Sequence, residues 1–134
     1  MKSFITFKGS FSAAHLYKID SWTEQQNQQA FGSCYSQHGH GHNYKAEISY
    51  LNLPQELIAS AEEDLKSLCQ SLEHTHLNFD ISFFRDKNPT TEMIALYFQE
   101  VLQTKSGAGA FIAKVKVSEN EGLWSQLLIK PAGP

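Results

Sequence analysis

The stretch Gln37-His38-Gly39-His40-Gly41-His42-Asn43-Tyr44-Lys45-Ala46-Glu47-Ile48-Ser49-Tyr50 carries two messages at once. From His40 onward, His40, His42, Tyr44, Ala46, Ile48 and Tyr50 share one parity, while Asn43, Lys45, Glu47 and Ser49 form a polar row between them. A period of two is the signature of a half-buried strand. Successive strand side chains point to opposite faces, so His40 and His42 open the core-facing row together, where two imidazoles can grip one metal ion.

The same test on the N-terminal segment puts Ile5, Phe7, Phe11, Ala13 and His15 in step and leaves Thr6, Lys8, Ser10 and Ser12 out of it, so His15 closes that apolar row. Antiparallel pairing of the two segments would bring the exit of the first beside the entrance of the second, and His15 next to His40 and His42. Three neutral imidazoles suit zinc and leave a fourth position for water or substrate, as in a catalytic site. Iron and copper accept the same ligand type. Cys34, in the loop between the segments, could instead close the site as a fourth ligand, and both readings stand at this point. A nearby cation would favour its thiolate in either case.

A chain of 134 residues fits a single domain over 1–134. At that size it buries roughly two thirds of its unfolded surface and needs no metal or disulfide to fold. The net charge of -3 comes without a Lys/Arg-rich run, which argues against nucleic acid and for a small-molecule partner. No segment reaches the roughly 18 apolar residues of a membrane span. Met1-Lys2-Ser3 leads into a strand pattern without an apolar signal core, and the expected location is cytoplasmic. Two cysteines, Cys34 and Cys69, fit a reducing compartment and exclude a disulfide framework.

Further along, Ser60-Ala61-Glu62-Glu63 has the form of a capping box, and Ala61, Leu65, Leu68, Cys69 and Leu72 predict a helix over 61–72 with Cys69 as inert packing. Thr90 or Thr91 opens a second helix with Glu92 in its first turn and Ile94, Tyr97, Phe98, Val101 and Leu102 as its stripe, ended by Gly107 and Gly109. Phe111, Ala113, Val115 and Val117 predict a third strand, and Asn120-Glu121-Gly122 a turn into a fourth from Leu123 to Lys130. Two strands, two helices and two strands give an α+β domain: a four-stranded antiparallel sheet with both helices on one face. The Gln-rich run from Gln25 to Gln29 reads as a short solvated helix, and the long loop around it as a wall of the site. Glu119 continues the parity of Val115 and Val117, so it ends either as a buried carboxylate or as a strand-end group in solvent. His74, beside Glu73, is a proton relay or a helix cap on the same terms.

Taken in order, Phe11-Ser12-Ala13-Ala14-His15, Phe31-Gly32-Ser33-Cys34, His40-Gly41-His42-Asn43-Tyr44, Leu72-Glu73-His74 with Leu77-Asn78, Asn88-Pro89-Thr90-Thr91-Glu92 and Glu119 resemble the 6-pyruvoyltetrahydropterin synthase family over nearly the whole chain. One branch of that family, in queuosine biosynthesis, makes 6-carboxytetrahydropterin. The resemblance implies the tunnelling fold (T-fold), commonly a homohexamer built as a dimer of trimers, with active sites between subunits. It implies a Zn2+-dependent lyase acting on 7,8-dihydroneopterin triphosphate, a small-molecule pterin triphosphate. By the same resemblance His15, His40 and His42 hold the metal, Cys34 is the catalytic thiolate, and Glu73 and His74 form the relay. Glu119 anchors the pterin ring, and Thr90, Thr91 and Glu92 line its pocket. Glu73 stands where the family has Asp, His38 is an additional imidazole outside the ligand set, and the segment 51–59 is shorter than the family's second hairpin. The competing function is a zinc- or pterin-binding protein without turnover, in which Cys34 seals the metal.

Overall fold

The computed structural model describes residues 2–32 and 40–131, and of His40 the backbone alone. Strand β1 (Phe4–His15) pairs antiparallel with β2 (His40–Leu51) along its full length, from Phe4 opposite Leu51 to His15 opposite His40. The parity read from the sequence is the parity of the fold. Phe7, Phe11, Ala13 and His15 on β1 and Tyr44, Ala46, Ile48 and Tyr50 on β2 are buried, whereas Lys8 and Glu47 face each other on the opposite side, 3.8 Å apart.

Helix α1 (Glu24–Phe31) occupies the Gln-rich stretch, as expected. A capping box explains its start: Thr23 Oγ1 accepts from the Gln26 amide, and Gln26 Oε1 accepts from the Thr23 amide. Helix α2 (Ile58–Leu72) buries the stripe Ala61, Leu65, Leu68, Cys69 and Leu72 that its spacing predicts. Its start differs from the expectation. A 3-10 turn at Gln55–Leu57 feeds the helix directly, so the first turn comes before Ser60, whose hydroxyl donates back to the Leu57 carbonyl at 3.1 Å and caps nothing. Helix α4 (Thr91–Ser106) begins at the Thr90 cap, whose hydroxyl accepts from the Met93 amide, and ends at Gly107, where φ is +68°. That left-handed conformation is one that glycine adopts without strain.

Five strands form the sheet, in the order β3-β1-β2-β4-β5, where the sequence predicts four. The additional one, β3 (Thr75–His76), is two residues long and runs parallel to β1 beside Ala13 and Ala14. Two residues are too few to carry an alternation, so local pattern could not reveal it. The same holds for the single-turn helix α3 (Leu77–Asp80) that follows. Strand β4 (Ile112–Asn120) departs in phase: Ile112, Val115 and Val117 are buried, not Phe111 and Ala113. A bulge opposite Ser49 and Tyr50 inserts the residue that shifts the parity. Strand β5 (Leu123–Leu128) completes the edge.

Helices α2 and α4 cover one face of this sheet, and the core lies between, formed by the buried rows of β1, β2 and β4 with Leu68, Leu72, Ile94, Phe98 and Leu102. Gly9 falls on the buried row where α2 comes closest. A Cβ there would lie 2.8 Å from Cys69 Sγ and 3.4 Å from Leu65. The thiol itself is inert packing: burial, with Glu73 nearby, pushes its pKa up to about 11. Gly9→Ala is expected to lower the unfolding free energy measured in urea by about 1–3 kcal/mol, the usual cost of overpacking. Adding Cys69→Ala should recover part of that loss, because the two side chains contest one volume.

Candidate metal centre and active-site cleft

Three strand ends meet at one end of the sheet. The β1–β2 register sets Ala13 opposite His42 and His15 opposite His40, so His15 and His42 project from the same face with ring centroids 5.0 Å apart. Next in the sheet, β4 places Ser118 opposite Lys45, and Glu119 one residue further extends the row toward His42. Glu119 Oε2 lies 3.7 Å from His42 Nε2. One ligand-type atom from each of His15, His42 and Glu119 lies within 4.8 Å of the other two.

This group fits a divalent cation. Two ligands about 2.0–2.2 Å from a tetrahedral zinc stand about 3.3–3.6 Å apart, close to the His42–Glu119 separation. The Glu119 side chain is only 11% exposed, and its Oε2 makes no hydrogen bond among the described residues. A buried carboxylate left so is costly unless positive charge answers it. Glu119 is thus a buried group and not a strand end turned to water, and it stands at the imidazoles themselves. The backbone of His40 pairs with that of His15. The His40 imidazole, together with Cys34 and His38, lies outside the described residues.

His15 is 1% exposed and closely held. Its Nδ1 shares a hydrogen bond with the Tyr44 hydroxyl, and Tyr17 stacks on the ring with centroids 4.6 Å apart. Tyr17 in turn meets Phe31 at the end of α1 edge-on, so the segment after β1 does form a wall of the site. Three asparagines pin that segment. Asn78 accepts from the Leu16 amide at 2.9 Å and donates to the Leu16 carbonyl at 3.0 Å, Asn88 accepts from Lys18, and Asn27 accepts from Ile19. Sequence reading noticed Tyr44 only as a core position and Asn78 only as part of a resemblance. A tyrosine and an asparagine at positions destined for burial were the available signal, since their polar atoms must find partners.

His74 follows α2 with φ at +60°, its amide donating to the Ser12 carbonyl. A non-glycine residue in that region marks a position the surroundings hold. Its side chain is 84% exposed, and its Nε2 lies 3.9 Å from Glu73 Oε1. Glu73 also accepts from the Ser12 amide at 2.9 Å, so the carboxylate is fixed to β1. A cleft of about 340 Å³ near His74 is lined by Ser12, Ala14, Gly41 and Asn43, which belong to the sheet face opposite the side chains of His15 and His42. Thr90, Thr91 and Glu92 are elsewhere: Thr90 caps α4, Thr91 Oγ1 bonds Ser125 Oγ at 2.6 Å, and Glu92 is exposed. Among the described residues they do not join the imidazole cluster.

With this geometry in view, the comparisons give a consistent result. The family model described as 6-pyruvoyl tetrahydropterin synthase matches residues 4–128. The human 6-pyruvoyl tetrahydrobiopterin synthase is 34% identical over 119 residues, covering 84% of this chain and 81% of its own. The Drosophila melanogaster synthase is 28% identical over 128 residues, with 87% and 74% covered. The solved 6-pyruvoyl tetrahydropterin synthase of Caenorhabditis elegans superimposes with a TM-score of 0.86 over 97% of both chains at 23% identity, a likeness of fold. The Plasmodium falciparum enzyme does so at 0.63 over 94% of this chain and 96% of its own, at 16% identity. The chain belongs to the 6-pyruvoyl tetrahydropterin synthase family. No helix among the described residues is long and apolar enough to cross a membrane.

One titratable neighbour of the site yields a pH prediction. His76 packs at a tilt against Phe79 with centroids 4.4 Å apart, and burial lowers its pKa from the ordinary 6.5, partly countered by Asp80. The folded chain therefore binds this proton less readily than the unfolded one. Its contribution to stability is present above pH 6.5 and is lost as pH falls through the lower folded-state value. His76→Gln should flatten the decline in urea midpoint below about pH 6.5, the unfolded-state value of histidine.

Proposed function

We propose that the chain is a zinc-dependent lyase that converts 7,8-dihydroneopterin triphosphate to 6-pyruvoyltetrahydropterin, with elimination of triphosphate. The observation that carries this reading is the meeting of His15, His42 and the buried carboxylate of Glu119 at three strand ends, in a chain of this family. His15, His40 and His42 would hold the metal, which when bound supplies Lewis-acid stabilisation of charge developing on the substrate side chain.

The chain's own groups account for the rest. Cys34, by its resemblance to the family's thiolate, takes the carbon-bound proton. His74, exposed with Glu73 beside it, would relay protons, as the family resemblance implies. Glu119 would hold the pterin nitrogens beside the metal, where its position next to His42 keeps ring and side chain in one orientation. Thr90, Thr91 and Glu92, remote from this cluster within one chain, would line the pterin pocket by completing the site of a neighbouring copy. That is a reason for the homohexamer the resemblance implies. The pyruvoyl product is favoured over the carboxy product because the matched relatives bear the pyruvoyl name.

Zinc-loaded protein incubated with 7,8-dihydroneopterin triphosphate should release triphosphate and give the pyruvoyl product by mass spectrometry. Release of acetaldehyde with a carboxypterin would place it in the other branch, and absence of turnover would leave a binding protein. Cys34→Ala is expected to keep its zinc and lose about 10²–10⁴-fold in turnover, the scale of a general base. His42→Ala should lose both. Loss of zinc from Cys34→Ala would instead identify that thiolate as a ligand that closes the centre.

A further inference from the structure

Tyr44 is fully buried at 0% exposure, in surroundings that ask for no hydroxyl. Its ring stacks on Phe11 with centroids 5.0 Å apart and planes 17° off parallel, and Phe98 stacks behind Phe11 at 5.7 Å. A phenylalanine would fill the same volume without the cost of burying a polar atom. The hydroxyl is instead aimed along the strand direction, past His42, to Nδ1 of His15. Two strands contribute to this contact: Tyr44 stands opposite Phe11 in the ladder, and His15 closes the same row four residues on.

We infer that Tyr44 is the positioning residue of the metal centre, holding the ring of His15 in one orientation. This rests on the metal-dependent function proposed above. A neutral imidazole carries one proton, and only the nitrogen without it can coordinate a cation. When Nδ1–H donates to the Tyr44 oxygen, Nε2 is the coordinating nitrogen. When the proton sits on Nε2, Nδ1 accepts from the phenol, so the hydroxyl serves either tautomer and what it fixes is the direction in which the ring is turned. Stacking of Tyr17 on the ring and the hydrogen bond at Nδ1 together hold the imidazole in that orientation. Outer-sphere partners of this kind typically change metal affinity about 10–100-fold.

The test is zinc affinity of full-length protein by competition with a chromophoric chelator, alongside the urea midpoint of the metal-free form. Tyr44→Phe is expected to weaken zinc binding about 10–100-fold while the metal-free midpoint stays close to wild type. Phe98→Leu serves as the packing control: it loosens the stack behind Phe11 but keeps the hydroxyl, so it should lower the midpoint and leave zinc affinity unchanged. Wild-type zinc affinity in Tyr44→Phe overturns the role of Tyr44 alone. Equal losses of affinity in both variants overturn it as well, by assigning the effect to packing. A wild-type chain that does not bind zinc overturns the metal-dependent function, and this role with it.

Discussion

The register of β1 against β2 is the constraint on which everything at the site depends. With Ala13 opposite His42 and His15 opposite His40, the buried rows of both strands continue without a break from the apolar core into the imidazoles. A slip of one residue would turn the histidines to the polar face and bring Lys8 and Lys45 into the core. The large side chains of Phe7, Phe11, Tyr44, Ile48 and Tyr50 hold the register, because each must be buried against α2 or α4. The face from which the imidazoles project is therefore a by-product of core formation.

Beyond the ladder the problem changes. At His15 the strand ends, and the next residues lose their sheet partners close to a buried polar cluster. Backbone groups in such a place must be satisfied by other means. Asn78 replaces a ladder partner at Leu16 with one acceptor and one donor, and Asn88 and Asn27 do the same for the amides of Lys18 and Ile19. These side-chain amides come from three separate segments, so α1, α3 and the loop before α4 all converge on the residues that follow a metal-ligand candidate. Tyr17 is thereby fixed over His15, and residues 16–19 form one wall beside it.

The carboxylates illustrate how context assigns a role. Glu119, on a strand end, is drawn inward by the parity of Val115 and Val117 and answers the imidazoles. Glu73, where the family has Asp, uses its greater length to bond the Ser12 amide on β1 while remaining beside His74.

Much of the fold was legible because it rests on local periodicity. The alternation along β1 and β2, the helical stripes of α2 and α4, the glycine stop at Gly107 and the shared parity of His15 and His42 follow from residue order alone, since the backbone repeats two or 3.6 residues at a time. Elements too short to repeat, β3 and α3, were silent, and the start of α2 was misplaced because a preceding turn removed the need for a cap. In β4 the bulge opposite Ser49 and Tyr50 reversed the phase of Ile112 against Val115, and a single inserted residue leaves no periodic mark in the sequence. By itself, then, the sequence determined which side chains face inward, because strand and helix periods are properties of the local backbone. Which inward groups touch, His42 with Glu119, His15 with Tyr44, and Leu16 with Asn78, was decided only by the tertiary structure, because those pairs lie 29 to 77 residues apart and meet through sheet order, register and packing.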